Sequence, residues 1–500
     1  MMQTIIVAAR DRARLAEIFR IATRFGLGML LARLGLQNGS GEDGAPDELP
    51  RRVRMAIEAL GPTFVKLGQI LATRSDLLSP EWIAELEQLH AQAPTLEFGQ
   101  LREAVEAALG EPPETAFAQF DPAPLAAASM AQVHRATLHD GRAVVLKIRR
   151  PGIRPRVEAD LRLIAHLAAV VERSSAEARR FQPAALVRQL AEAISAELDF
   201  TAEGNNADRM RADFARDPRV IVPEIHWAWT SETLLVMDHV EGIIPREAAT
   251  LRAAGIDPVA IADLGADIVL DMVLINGRFH ADPHPGNLLC LPGNRLALLD
   301  MGMIGHVSPR RRGEFIDFVQ ALGAGDAAQL ADVLALWAQG SDVPRAHVER
   351  AAERLIERHS GGRFVLSAMV ADFMALMRTE RMTMPPDLLL VFKALVTLDG
   401  VLLAIAPDFD LAMSMKRASM RLLQRRLDPD HWLPLLGAIG RELARLGDDA
   451  PRLIRAATRR LEAEAAPVPA RQATPASAPW IVAAAILIGA GLVSAAIILS

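Results

Sequence analysis

The sequence predicts an α+β fold of two lobes, with a helical extension before them and a single transmembrane helix at the C-terminus. The chain has 500 residues, more than one hydrophobic core usually organises. A region with strand-like hairpins is followed by a mostly helical region, as in folds that segregate strands from helices. Residues 480–499 carry no charge, and a helix of about 20 apolar residues matches the thickness of a bilayer core.

The composition limits the classes of partner and cofactor. The formal net charge of −6 gives no reason to expect nucleic acid as a partner. The single cysteine, Cys290, excludes a disulfide framework and a thiolate zinc cluster within the chain, and it suits a reducing compartment. Arginine greatly outnumbers lysine. This indicates that the few lysines stand at functional positions, where a compact ammonium group is needed and a guanidinium would not serve. These lysines are Lys66, Lys147, Lys393 and Lys416.

Residues 1–45 form a basic N-terminal segment with the composition of an amphipathic helix. Such a helix can lie on anionic lipid, and packing on its own domain is an equally open interpretation. A secretory signal is not predicted, because charges interrupt every apolar stretch. The arginines of this segment are Arg10, Arg12, Arg14, Arg20, Arg24 and Arg33.

The extension, residues 46–115, and the predicted N-terminal lobe, residues 116–240, differ in their periodicity. The extension is helical, with prolines as breaks, whereas the lobe begins with a hairpin around an Asp-Gly turn. Its hairpin strands are Val133–Leu138 and Ala143–Ile148, its helical stretch is 155–215, and its third apolar run is Leu234–Met237. The breaks of the extension are Pro62, Pro80, Pro94, Pro112 and Pro113.

The predicted C-terminal lobe, residues 241–425, holds a second hairpin and is otherwise helical. Asn287–Cys290 and Leu296–Leu299 flank a Pro-Gly-Asn turn. Helical periodicity continues to about residue 462, and the stretch 426–479 combines a helix with an Ala/Pro-rich linker.

The final segment, 480–499, is predicted to cross the membrane once. Trp480 begins it at the position where an interfacial aromatic ring is favoured. We expect a bacterial-type inner (cytoplasmic) membrane, with the lipid bilayer as a partner and the main domain on the cytoplasmic side; a buried helix or an oligomer contact is the alternative. The arginines that indicate this orientation are Arg452, Arg455, Arg459, Arg460 and Arg471.

A carboxylate after the second hairpin carries the first chemical signal. Asp300 follows an apolar strand and precedes Met-Gly, an arrangement suited to holding Mg²⁺ against phosphates. Upstream, Asp282 and Asn287 have the spacing of the kinase catalytic loop H-R-D-x-x-x-x-N. In that chemistry the first aspartate orients or deprotonates the attacking hydroxyl, and the asparagine and later aspartate bind the metal. The pattern predicts Asp282 as catalytic and Asn287 and Asp300 as Mg²⁺ ligands.

The next element lies on the returning strand of the first hairpin. Val-Val-Leu-Lys, ending at Lys147, is similar to the V-A-I-K motif, whose lysine meets phosphates and is positioned by a glutamate on the next helix. That helix offers Glu197 and Glu203. Each fragment alone is weak evidence. Lysine, glutamate, aspartate, asparagine and aspartate in this order, each on its expected strand or helix, form a strong pattern.

Other interpretations of the same residues stay open. His280, Asp282 and His284 alternate as metallohydrolase ligands do, although two prolines stiffen the stretch and no second His/Asp cluster lies nearby. Glu197 and Glu203 could belong to a solvated helix face. The chain has no Walker A sequence and no G-x-S-x-G elbow, which removes support for P-loop ATPases and α/β-hydrolases.

Three departures from ordinary kinases resemble one family. An alanine-rich segment, Pro124–His134, stands where a glycine-rich phosphate loop should precede the lysine hairpin. Lys66 begins a K-x-G-Q signature, and Glu197 begins an E-x-D motif. Together these features resemble the UbiB family of atypical protein-kinase-like proteins of ubiquinone biosynthesis, over residues from about 50 to 425.

The resemblance implies a bilobal protein-kinase-like fold in which the extension lies across the usual substrate cleft. It implies that Glu203 pairs with Lys147, which assigns both residues to the catalytic set. The regulatory group specific to the family consists of Lys66, Gln69, Glu197 and Asp199, with the two acids near Lys66.

The resemblance also implies ATP or ADP with Mg²⁺ as cofactors, and ATPase-type activity in preference to protein phosphorylation. Alanine Cβ atoms narrow the backbone angles of the loop, so nucleotide preference should differ from that of a glycine-rich loop. The residues predicted to bind the nucleotide are Ala126, Ala127, Ala128, Ser129, Lys147, Met237 and Val240.

The predicted function is that of a membrane-associated atypical kinase or ATPase supporting ubiquinone biosynthesis. Ala281 replaces the arginine of H-R-D, and no A-P-E-like segment follows Asp300, which argues against a conventional protein kinase. The expected partners are quinone precursors or quinone-biosynthesis enzymes, and a homodimer is possible. The alternatives are a nucleotide-gated scaffold or lipid chaperone for those enzymes, and a small-molecule phosphotransferase.

Overall fold

The structure, a computed structural model, describes most of the chain up to residue 421. The described residues are 11–27, 48–72, 78–89, 94–174, 183–338, 343–359, 366–380 and 385–421, apart from 412, 416 and 419. The helices are α1 (Arg12–Arg24), α2 (Leu49–Leu60), α3 (Pro62–Ala72), α4 (Pro80–Leu86), α5 (Phe98–Leu109), α6 (Pro113–Ala116), α7 (Ile153–Ser174), α8 (Pro183–Glu197), α9 (Phe200–Asp213), α10 (Ala248–Ala253), α11 (Pro258–Leu270), α12 (Pro309–Ala324), α13 (Ala327–Trp337), α14 (Arg345–His359), α15 (Leu366–Thr379) and α16 (Pro386–Ile405). The strands are β1 (Gln119–Ala127), β2 (Ala131–Thr137), β3 (Ala143–Arg149), β4 (Val220–Ile221), β5 (Leu234–Asp238), β6 (Arg278–His280), β7 (Leu288–Leu291), β8 (Arg295–Leu298) and β9 (Ile304–His306).

These elements belong to one unit, Met1–Leu423, and the second unit, Gln424–Ser500, lies outside the described residues. The predicted linker and the predicted transmembrane span therefore remain predictions. Within the described residues, the helix Asp387–Ile405 is long and apolar enough to cross a membrane, but most of it is buried inside the protein. That burial indicates a core helix, because a spanning helix would turn its apolar surface to lipid.

The N-terminal lobe contains an antiparallel sheet with strand order β1-β2-β3-β5. The predicted hairpin is confirmed, because β2 and β3 pair from Thr137 opposite Ala143, and the turn residue Gly141 has φ of +88°. Alternate residues such as Val144 and Leu146 enter a core that α5 covers. The sheet therefore holds Lys147, on the opposite face of β3, in a fixed register.

Strand β1 was not predicted, because the sequence-based interpretation placed the alanine-rich loop Pro124–His134 here, which overlaps the start of the predicted strand Val133–Leu138. Ala126 and Ala127 pair with Val133 and Gln132 of β2, so only the short turn between these strands remains outside the sheet. Register shifts occur on both sides of Pro124. The alternation of this strand is hard to see in the sequence because it is an edge strand, exposed along most of its length, where prolines are tolerated.

Three of the prolines predicted as breaks in the extension begin helices. Pro62, Pro80 and Pro113 are the first residues of α3, α4 and α6. Proline suits this position because its missing N–H would have no partner there and its φ is already helical. Helix α3 then packs Ile70 into an apolar cluster with residues of α7 and α8 and with Met130 of the β1–β2 turn.

Helix α1 packs on the protein through an arginine. The Arg14 side chain is buried, and its Nε lies 2.6 Å from Oδ1 of the buried Asp160 on α7. Arg162, two residues further along α7, holds Asp11 at 2.8 Å. For residues 11–27, packing on the protein's own domain is thus the observed arrangement, and the contact with lipid remains a prediction.

The C-terminal lobe combines two small sheets with helices. The predicted second hairpin is confirmed as β7 and β8, with β4 parallel to β8, while β6 and β9 form a separate pair. Five aromatic side chains in mutual contact lie in the core between the helices, and the ring centroids of Phe318 and Trp337 are 4.9 Å apart. The pair β6–β9 was not predicted, because strands of three residues carry too little periodicity to recognise.

The link between the lobes approaches the second hairpin closely. Ile243 and Cys290 exchange backbone hydrogen bonds of 2.9 and 2.8 Å. A Cβ on Gly242 would lie 2.8 Å from Cβ of Leu289, so this position requires glycine. The link after β5 is thereby fixed to the strand that follows the predicted catalytic loop.

Candidate active site

Lys147 joins two carboxylates from distant parts of the chain. Its Nζ lies 2.8 Å from both carboxylate oxygens of Glu203 on α9, and 3.4 Å from Oδ2 of Asp300. The sheet supplies the lysine, a helix supplies the glutamate, and the segment after β8 supplies the aspartate. These three predicted residues meet at one point between the lobes.

The environment shifts the pKa values of Glu203 and Asp300 in opposite directions. Burial raises the pKa of Glu203 to about 7, even though Lys147 opposes this shift. The attraction of Lys147 is the main reason why the pKa of Asp300 falls to about 2. Burial would lower the pKa of Lys147, but Asp300 and Glu203 together raise it. At neutral pH the cleft therefore contains a charged lysine beside a charged Asp300.

The backbone at Asp300 adopts a conformation that turns its carboxylate into the cleft. Its φ of +52° is uncommon for a residue other than glycine, although aspartate tolerates it better than most. The amide of Gly302 donates to Oδ1 of Asp300 at 3.2 Å, and a Cβ on this glycine would lie 3.0 Å from the same oxygen. Asn206, on the same helix as Glu203, donates to the carbonyl oxygen of Met301 at 3.1 Å.

The predicted catalytic loop is fastened to the segment that leads to Asp300. The buried His280 accepts a hydrogen bond from the amide of Asp282 at Nδ1 (3.1 Å), and its Nε2 therefore donates to the carbonyl oxygen of Leu299 (3.1 Å). Burial also lowers the pKa of His280, which keeps the ring neutral. Both ring nitrogens are occupied by the backbone, so this residue serves the loop and not a metal ion.

Asn287 and Asp300 have the chemistry that Mg²⁺ requires. The Nδ2 of Asn287 donates to the carbonyl oxygen of Asp282 at 3.1 Å, so its Oδ1 is left as a ligand atom. Among the described residues, no group of three or more His, Cys, Asp or Glu side chains forms a metal site. Two oxygen donors fit Mg²⁺ nevertheless, because this ion usually takes one or two protein ligands and completes its shell with water and phosphate.

Arg150 forms hydrogen bonds to the backbone of the alanine-rich turn between β1 and β2. Its Nε donates to the carbonyl oxygen of Ala128 at 3.0 Å, and its amide donates to that of Met130 at 2.9 Å. Ala128 and Ser129 lie in this turn, whereas Met237 lies on β5 opposite Val145 of β3. Val240 follows in the link between the lobes. The predicted nucleotide-binding residues thus lie in the sheet, in its β1–β2 turn and in the link, and their contact with a nucleotide remains a prediction.

The residues of the K-x-G-Q signature and the E-x-D motif make separate contacts, and only Lys66 and Glu197 bond each other. The buried Lys66 donates a hydrogen bond to Oε1 of Glu197 at the end of α8. Gln69 donates to the carbonyl oxygen of Leu89 at 3.3 Å, and the lack of a side chain at Gly68 leaves room for Leu89. Asp199 has a different role from Glu197. Its Oδ1 accepts hydrogen bonds from the amide and the hydroxyl group of Thr201, which makes Asp199 the N-cap of α9.

Sequence reasoning missed three residues that support the site. In the sequence His280 stood at the histidine of the H-R-D-like loop, with a metal ligand as the alternative, and its bonds to the backbone were not predicted; Arg150 and Asn206 did not appear at all. A weak signal existed for Asn206, because it follows Glu203 by three positions, which places both on one helix face. No local pattern identifies Arg150, since its partners are backbone atoms of other segments.

The two-lobed fold, with a lysine–glutamate pair facing an aspartate-bearing loop, defines an atypical kinase-like protein. Comparison with known families supports this: residues 88–334 match the ABC1 atypical kinase-like domain, and residues 350–410 match the UbiB helical domain. The "Probable protein kinase UbiB" of Xylella fastidiosa (strain M23) is 34% identical over 415 residues, covering 81% of this chain and 75% of the relative. The chain belongs to the UbiB family.

Other relatives show how widely this sequence pattern extends. The "Probable protein kinase UbiB" of Marinobacter nauticus is 33% identical over 76% of this chain and 71% of the relative. The "Uncharacterized protein sll1770" of Synechocystis is 30% identical over 82% of this chain and 72% of the relative. The solved complex of Rv3197 with erythromycin from Mycobacterium tuberculosis has a TM-score of 0.52 at 21% identity, covering 79% of this chain and 95% of that one. This last similarity shows the fold alone.

Proposed function

We propose that the protein binds a magnesium adenine nucleotide between its lobes and hydrolyses it, or transfers its terminal phosphoryl group, at the cytoplasmic membrane in support of ubiquinone biosynthesis. The observation that carries the proposal is the convergence of Glu203 and Asp300 on Lys147, at 2.8 and 3.4 Å. A lysine so placed binds phosphate oxygens as a point charge.

Each residue has a part in this reaction. Lys147, oriented by Glu203, binds the phosphates and holds the nucleotide in the cleft. Asp282 accepts the proton of the attacking water or hydroxyl group. Asn287 and Asp300 would hold Mg²⁺, which neutralises phosphate charge when it is bound.

The membrane and the pathway are proposed on two separate grounds, a predicted span and the names of relatives. The predicted span at 480–499 would keep the cleft near the bilayer, where prenylated quinone precursors reside. Relatives named UbiB support a role in quinone biosynthesis. We therefore expect loss of the gene to deplete ubiquinone, measured by chromatography of lipid extracts. Normal quinone levels in the deletion strain would contradict the pathway assignment.

The enzymatic proposal is tested by an ATPase assay on the purified full-length protein, with and without vesicles of phosphatidylcholine and phosphatidylglycerol. Asp282→Asn removes the proton acceptor and should lower kcat about 100-fold or more while Mg-nucleotide affinity stays unchanged. Asp317→Asn, an exposed acid on α12, is the matched control. Full hydrolysis by Asp282→Asn would contradict its role as proton acceptor, whereas nucleotide binding without hydrolysis by the wild-type protein would favour a nucleotide-gated scaffold over an enzyme.

A further inference from the structure

His284 is a side chain of the catalytic loop that the proposed function leaves without a role. The other polar side chains between residues 280 and 287 are accounted for, because His280 and Asn287 bond the backbone and Asp282 is the proton acceptor. The His284 side chain is 47% exposed, so it is not needed to fill the core.

The hydrogen bonds of His284 determine which ring nitrogen carries the proton. The amide of Gly286 donates to Nδ1 at 3.0 Å, so Nδ1 is an acceptor and Nε2 bears the hydrogen. Two prolines, Pro283 and Pro285, restrict the backbone on either side of the histidine. A Cβ on Gly286 would lie 2.9 Å from Cε1 of the ring, so glycine is required for this arrangement. The loop therefore presents a fixed N–H donor.

This donor faces the carboxylate of Asp282 across a gap. Nε2 of His284 lies 3.9 Å from Oδ2 of Asp282, which is too long for a direct hydrogen bond. A gap of this size between a donor and an acceptor is suited to one bridging oxygen atom. Both side chains are partly exposed, so such an oxygen can enter from the solvent or from a substrate.

We propose that His284 is a further catalytic residue, which holds the attacking oxygen of water or of a hydroxyl-bearing acceptor by donating its Nε2–H. This inference rests on the proposed function. As the oxygen–phosphorus bond forms, the proton of the attacking group passes to Asp282. The bond between the γ-phosphorus and the bridging oxygen breaks, and its electron pair leaves with the nucleoside diphosphate. His284 keeps its own proton throughout and is not the base.

The kinetic test compares three replacements of His284 in the full-length protein. His284→Gln can present an amide N–H near the position of Nε2, whereas His284→Asn and His284→Ala cannot. We expect roughly 100-fold lower kcat for Asn and Ala, partial recovery for Gln, and Mg-nucleotide Kd within about twofold of wild type. His139→Gln, which changes an exposed histidine of the N-terminal lobe, should retain full kcat. Wild-type kcat in the Ala variant, or equal losses in Gln and Asn, would overturn the proposal.

A second measurement does not depend on turnover. Nitrogen-15 NMR of the histidine rings in nucleotide-free protein, assigned by difference with His284→Gln, should show His284 protonated at Nε2. A ring protonated at Nδ1 would overturn the assignment whatever the kinetics show. Absence of hydrolysis by the wild-type protein would instead contradict the proposed function, and the NMR result would still decide whether the loop presents this donor.

Discussion

At the scale of single residues, burial separates two acids that share one lysine. The Glu203 side chain is 6% exposed on α9, whereas the Asp300 side chain is 48% exposed in the cleft. The same ammonium therefore faces one carboxylate that solvent does not reach and one that solvent does. Desolvation raises the pKa of the first acid to about 7, and the lysine lowers that of the second to about 2.

The raised pKa of Glu203 predicts that its contribution to stability falls as pH rises. An ordinary ion-paired acid has a lowered pKa, and its contribution rises with pH. Because the pKa of Glu203 is raised from 4.5 to about 7, its protonated form favours folding; that contribution is complete below pH 4.5 and lost as pH rises through 7. We expect the free energy of unfolding of wild type relative to Glu203→Gln to fall by about 3 kcal/mol over this range. Urea unfolding at several pH values measures the difference.

Glu314 supplies the control for this experiment. Burial would raise its pKa, but its hydrogen bonds to Arg311 and Arg310 outweigh burial and lower the pKa below 4.5. Its contribution is therefore present above pH 4.5 and lost as pH falls through its lowered pKa. The difference between wild type and Glu314→Gln should stay flat between about pH 5 and 8. A flat curve for Glu203→Gln as well would contradict the predicted shift at Glu203.

At the scale of elements, α9 carries the acid of the cleft and a brace for the loop that bears Asp300. Glu203 and Asn206 project from one face of α9 to Lys147 and to the carbonyl oxygen of Met301. The start of this helix is fixed by Asp199. Its carboxylate accepts a hydrogen bond from the amide of Thr201, one of the amides that have no partner within the helix at its N-terminus. The cap thus sets the position of Glu203 one turn later.

Removing this cap should weaken the helix more than it changes the chemistry. Asp199→Ala is expected to lower the free energy of unfolding by about 1 kcal/mol, while Asp199→Ser, which can cap as well, should lose less. Denaturant unfolding of both variants measures this. If Ala and Ser have equal stability, the carboxylate is not retained for capping, and the regulatory role implied by the family resemblance becomes the better explanation.

At the scale of the whole molecule, the N-terminal helix α1 is joined to α7 and to the end of α2. Arg14 of α1 bonds both Asp160 of α7 and the carbonyl oxygen of Leu60, the last residue of α2. Helix α3, which begins two residues later, carries Lys66 to Glu197. The N-terminal segment and the extension are therefore joined to the N-terminal lobe by two ion pairs whose cations are buried, in addition to apolar contact.

The buried pair of Arg14 and Asp160 can be tested by a double-mutant cycle. Arg14→Met leaves a buried carboxylate without its partner and should cost roughly 3 kcal/mol of unfolding free energy. The double variant Arg14→Met, Asp160→Leu should recover most of this loss, because no uncompensated charge remains. Thermal and denaturant unfolding of the four proteins measures the coupling. Additive losses would show that the two side chains do not interact.

The sequence by itself determined the two hairpins, the helical extension and the order of the candidate residues. These depend on local patterns: strand alternation around a turn, proline at helix starts, and the spacing of Asp282 and Asn287. Local patterns left open which acid meets which lysine, because Glu197 and Glu203 lie close together in the chain and look alike in sequence. The family resemblance implied that Glu203 pairs with Lys147 and that Glu197 lies near Lys66, and the tertiary structure shows both contacts. It also assigned Asp199 to a cap and His280 to the backbone. Such partnerships are set by burial and by atoms distant in sequence, which no local pattern records.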